Sequence, residues 1–104
     1  MDVEYLFDSR GNWIAFKKGI YLFNRSARWI GWFPMEGIAV DTEGKYLGTI
    51  YLNDRLLVNL LQKKVSKAAY PGYPEYPGLP VFPGFRGFCS YVPNTEDIKD
   101  RRLD

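Results

Sequence analysis

Histidine is absent from the 104 residues, which removes the commonest general base and the commonest metal ligand. Cysteine occurs once, as Cys89, so no intrachain disulfide can form, and the usage suits a reducing, cytoplasmic compartment. There is no run of about 18 apolar residues for a membrane helix and no basic-then-apolar leader after Met1, so we expect a soluble, unprocessed chain without a membrane partner. Fourteen Lys and Arg stand against twelve Asp and Glu, and the resulting balance is too even to name a nucleic acid as partner. No glycine run has the spacing of a phosphate loop. These absences argue against an enzyme and imply no cofactor. What remains is 46% hydrophobic and 17% aromatic content, enough for the core of one small domain.

A segment recurs along the first half of the chain. Tyr5-Leu6-Phe7-Asp8-Ser9-Arg10-Gly11-Asn12-Trp13-Ile14-Ala15-Phe16 aligns with Tyr21-Leu22-Phe23-Asn24-Arg25-Ser26-Ala27-Arg28-Trp29-Ile30-Gly31-Trp32. A third copy runs from Ile38 to Thr49 with its turn at Asp41-Thr42-Glu43-Gly44. Each reads as a β-hairpin: Asp or Asn at the first turn position bonds the backbone two residues on, and Gly at the fourth supplies positive φ. Ala27 stands where the other copies have Gly, at a cost of about 1 kcal/mol in a left-handed conformation.

Strict alternation places Ile14, Ile30, Leu47 and Val65 on one face of the second arms. Trp13, Trp29, Tyr46 and Lys64 fall on the other, together with Ala15, Gly31, Gly48 and Ser66. Four small residues at equivalent positions suit strands converging on a shared axis. A fourth, eroded copy has Leu56-Leu57-Val58-Asn59 as first arm and Lys64-Val65-Ser66-Lys67 as second. The same stretch, from Asp54 to Ala69, also fits the spacing of an amphipathic helix, and the residues leave both open.

From Tyr70 the composition changes. Tyr70, Tyr73, Tyr76, Leu79, Phe82, Phe85, Phe88 and Tyr91 recur every third residue beside ridges of Pro and Gly. Period three matches polyproline II, while Tyr70-Pro71-Gly72-Tyr73, Tyr76-Pro77-Gly78-Leu79 and Phe82-Pro83-Gly84-Phe85 match type II turns. The chain thus divides into a hairpin-repeat domain at 1–69, a Pro/Gly/aromatic segment at 70–93, and a charged, frayed tail at 94–104. Twenty-two residues of straight polyproline II would span about 68 Å, so the segment must bend back onto the body, pack on another chain, or bind something.

The stretches Asp8 to Phe16, Arg28 to Pro34 and Gly44 to Ile50, followed by a proline-rich triplet tail, resemble the bacterial 4-fold β-flower proteins over about residues 4–92. The resemblance implies a mainly β fold of four short hairpins in pseudo-four-fold arrangement, and it favours a fourth hairpin over a helix at 55–67. It brings no established activity.

Candidate chemistry is sparse. Cys89 has no histidine to activate it and reads as an inert thiol. Asp8, Asn24, Asp41 and Asn59 read as turn residues rather than metal ligands, and Arg55, Lys63, Lys64 and Lys67 as a solvated face. The expected function is a protein-interaction or self-assembly module, with a homo-oligomer or protein partner held through 70–91. The alternative is binding of a carbohydrate or nucleotide fragment. Candidate binding residues are Trp13, Trp29, Tyr46, Tyr73, Tyr76, Phe82 and Phe85.

Overall fold

Aromatic and aliphatic arms flank each polar turn, and in the structure, a computed structural model, these arms are strands. Residues 3–62, 65 and 69–104 are described. The strands are β1 (Glu4–Phe7), β2 (Trp13–Lys18), β3 (Tyr21–Asn24), β4 (Trp29–Met35), β5 (Ile38–Asp41), β6 (Tyr46–Tyr51), β7 (Arg55–Asn59) and β8 (Thr95–Asp97). Consecutive strands pair antiparallel, and β1 meets β7 in parallel at Phe7 and Arg55, closing β1 to β7 into a barrel. Among the described residues there is no α-helix, only a single 3-10 turn at Asp100–Arg102, and no helix is long and apolar enough to cross a membrane.

The first three turns share one hydrogen-bond pattern. Asp8 Oδ1 accepts the N–H groups of Arg10 and Asn12 at 3.0 and 2.9 Å. Asn24 Oδ1 accepts those of Ser26 and Arg28 at 2.9 and 3.0 Å, and Asp41 Oδ1 those of Glu43 and Lys45 at 2.9 and 3.0 Å. Gly11, Ala27 and Gly44 each donate back to the turn's first carbonyl, with φ of 89°, 63° and 84°. Ala27 is more than a defect: its methyl is buried among Phe7, Trp13, Phe16 and Phe23.

Strict alternation fails at one place in each pair. Leu6 faces Ala15 while Phe7 faces Trp13, Leu22 faces Gly31 while Phe23 faces Trp29, and Ala39 faces Gly48 while Val40 faces Tyr46. Ile14, Ile30 and Leu47 are the extra residues of three equivalent bulges, and a bulge turns two successive side chains toward the same side. Ala15 therefore joins Ile30 and Leu47 in the barrel interior rather than lying with Trp13. The two glycines leave room for different neighbours. A Cβ on Gly31 would sit 2.0 Å from the Val40 carbonyl oxygen, whereas one on Gly48 would meet Ile98 and Leu56 side chains at 3.0 and 3.2 Å. Ser66 and Lys64 lie outside the described residues.

The helix expected as an alternative over Asp54 to Ala69 does not form at its start, because 55–59 are strand β7. The first arm of the fourth hairpin is as read. Beside it lies β8, with Leu57 opposite Asp97 and Asn59 opposite Thr95. Of the expected second arm, residues 64, 66 and 67 lie outside the described residues. The final residues are likewise not a frayed tail. Ile98 and Leu103 are 6% and 8% exposed and pack with Leu6, Leu22, Leu47 and Leu56 inside the barrel, and Asp97 accepts the Ser9 N–H and hydroxyl at 2.8 Å each.

Candidate functional site

A second apolar layer lies on the outer face of β1 to β4, where Phe7, Trp13, Phe16 and Phe23 cluster with Tyr5, Tyr21 and Trp29 beside them. The proline-rich segment runs across this layer. From residue 69 to 92 it forms no strand, helix or closed turn. Gly72, Gly78 and Gly84 have φ of 83°, 81° and 86°, the sign a type II turn requires, but no such turn closes. The segment is an extended chain with a glycine of positive φ every six residues, on a molecule 35 Å in its longest dimension.

Two anchors hold it. At the first, Tyr70 and Tyr73 lie 5.9 and 5.1 Å from the Trp29 ring, Tyr70 lies 5.9 Å from Trp32, and the Tyr21 hydroxyl donates to the Pro71 carbonyl at 3.2 Å. At the second, the Arg86 and Cys89 N–H groups donate to the carbonyls of Gly11 and Ser9 at 2.9 and 3.0 Å. Arg55 reaches through from β7, donating to the carbonyls of Gly87 and Asp8 at 2.7 and 3.1 Å. Arg86 stands 5.0 Å over the Phe7 ring and 3.5 Å from Asp54. Gly11 is essential here because a Cβ would fall 1.8 Å from the Arg86 carbonyl oxygen. Between the anchors, residues 74–85 make no hydrogen bond among the described residues, and Phe82 rests on Trp13 at 5.7 Å.

The candidate residues thus separate. Trp13 is buried, its indole N–H donating to the Ala15 carbonyl at 2.8 Å. Trp29 is half-buried and makes the equivalent bond to Gly31 at 2.7 Å. Tyr46 shares a hydrogen bond with the Thr49 hydroxyl at 2.6 Å and accepts the Asn59 N–H at 2.9 Å. The barrel aromatics are therefore occupied by structure. Tyr73, Tyr76, Phe82 and Phe85 of the tail remain exposed.

Sequence reasoning missed Arg55, placed there on a solvated basic face. It is buried and paired with Asp54; the signal was an arginine opening the apolar run Leu56-Leu57-Val58. Lys63, Lys64 and Lys67 lie outside the described residues. Desolvation, reinforced by Tyr73, raises the pKa of the Tyr70 hydroxyl above its ordinary value. Desolvation and Tyr46 do the same to Tyr51, against a lowering hydrogen bond from Thr49.

A closed seven-stranded barrel carrying an aromatic outer layer under a proline-rich strap defines a small, mainly β module. The family model of the 4-fold beta flower proteins matches residues 1–96, and the chain belongs to that family. No curated protein and no solved structure matches it.

Proposed function

We propose that the chain is a non-enzymatic module whose work is association with further copies of itself through the exposed ridge of the tail. The observation that carries this is the ridge itself: Tyr73, Tyr76, Leu79, Val81, Phe85, Phe88 and Tyr91 are each at least 70% exposed. The accessible surface is 6738 Å², against about 6,000 Å² for a folded monomer of this mass. The excess is close to the roughly 800 Å² that one partner buries in a standard interface. In this reading β7 and β8 are the fourth hairpin-like unit of the barrel, supported by Asn59, whose Oδ1 accepts the Leu61 N–H at 3.0 Å as the other turn residues do. A carbohydrate or nucleotide fragment on Trp13, Trp29 and Tyr46 fits less well, because Tyr70, Tyr73 and Phe82 already cover the two tryptophans.

Sedimentation velocity across a concentration series tests the reading. The full chain is expected to move from monomer to dimer mass, and a variant with Leu79, Val81 and Phe85 all changed to Ser is expected to stay monomeric. A wild-type chain that keeps monomer mass to its solubility limit would sink it.

A further inference from the structure

The tail does not lie flush against the barrel everywhere. Where it passes the β2–β3 turn it leaves a groove of about 280 Å³ lined by Ile20, Tyr21, Phe23, Pro74 and Tyr76, with Lys18 and Glu75 as its two charged residues. Two side-chain features of this groove bear on what it could hold. Ile20 sits at a two-residue hairpin turn, where polar residues are the norm, and is 48% exposed. Lys18 and Glu75 line one groove, yet neither forms an ion pair among the described residues.

We propose that this groove is the docking site of a second copy, taking the partner's Tyr76-Pro77-Gly78-Leu79 stretch about a two-fold axis, with Lys18 of each copy against the partner's Glu75. The proposal rests on the association reading above and assigns it a surface. Three observations favour a second copy as occupant. The stretch is extended and free of hydrogen bonds, so docking it orders little that is not already ordered. Tyr76 and Leu79 are 71% and 70% exposed, which supplies apolar side chains to fill an apolar groove. A two-fold interface is self-complementary, and an axis through a groove bearing one positive and one negative charge sets each charge opposite its complement, twice.

Full-length Lys18→Glu and Glu75→Lys variants, each checked by thermal melting for a wild-type fold, test this by sedimentation. Each alone places two like-charge contacts in every dimer and is expected to weaken self-association about tenfold. Their equimolar mixture is expected to return to within about twofold of wild type, since both contacts are then of opposite sign. Ile20→Ser is expected to weaken association without touching charge. If all three variants associate like wild type while the Leu79, Val81 and Phe85 triple variant is monomeric, the groove assignment is wrong and association through the tail stands. Weakened single variants that the mixture fails to restore also overturn the assignment. A wild-type chain that never dimerises overturns both.

Discussion

The pairs β1–β2, β3–β4 and β5–β6 are closed by turns of about five residues headed by Asp8, Asn24 and Asp41. The strands β7 and β8 are separated by residues 60–94 in the sequence. Lengthening a loop about sevenfold costs roughly 1.7 kcal/mol in closure entropy. Asn59 begins the same turn, with Gln62 donating to its carbonyl at 3.0 Å, but no glycine stands at the fourth position to bring the next strand straight back. The distant pair must be held from the far side. Ile98 and Leu103, each contributing on the order of 1.5–3 kcal/mol by burial, outweigh the loop entropy. Local turn chemistry closes the near pairs, and interior packing closes the remote one.

That contrast breaks most decisively at the plug. Ile98→Ala and Leu103→Ala should each destabilise the fold by about 2–5 kcal/mol in urea unfolding, and a loss under about 0.5 kcal/mol would show that the last strand is an accessory. The turns come next. Asp8 is buried and its carboxylate accepts three hydrogen bonds, two from backbone and one from Asn12 Nδ2, so Asp8→Ala should cost about 2 kcal/mol. Asn59→Ala removes one side-chain bond, to Leu61, and should cost less than about 1 kcal/mol; equal losses would mean that the fourth turn is as local as the first.

The three near turns can be separated further by their left-handed residue. Gly44→Ala should cost about 1 kcal/mol, because the new Cβ meets only Trp32 at 4.0 Å and the penalty is purely conformational. Ala27→Gly relieves about the same strain but gives up a buried methyl of roughly 0.8 kcal/mol, so the melting temperature should hardly move. A clear stabilisation would show that the Ala27 methyl contributes nothing to its cluster.

The smallest effect is in alkali. Tyr51 in the barrel and Tyr70 in the tail have folded pKa values raised above 10.0. Their contribution to stability is therefore complete below that value and is lost as pH rises through the folded pKa. Melts at pH 9 and 11 on Tyr51→Phe and Tyr70→Phe should show a shallower alkaline decline for the first, and little change for the second if the strap adds little to global stability. An unchanged slope for Tyr51→Phe would refute the assignment.

The three near turns were readable because Asp or Asn at the first position, followed three residues later by Gly in two of them and Ala27 in the other, carries its own mechanism. The bulges were not, since nothing in Trp13-Ile14-Ala15 announces that two neighbours will face one way; only pairing with β1 imposes it. Strand β8 was hidden by its composition. Thr95-Glu96-Asp97 reads as a solvated tail, and Asp97 makes sense only beside Ser9, a neighbour that appears once the chain has closed. For the candidate surface, the period-three ridge was plain in the sequence. The groove was not, because it joins Ile20 and Tyr76, residues with no local relation.

Strand β8 also sets an order of events during synthesis. At roughly 5–20 residues per second, the stretch 60–94 takes roughly 2–7 s to emerge. Until then the barrel closed by Phe7 and Arg55 lacks the β8 partner of Leu57 to Asn59 and the packing of Ile98 and Leu103 against its core.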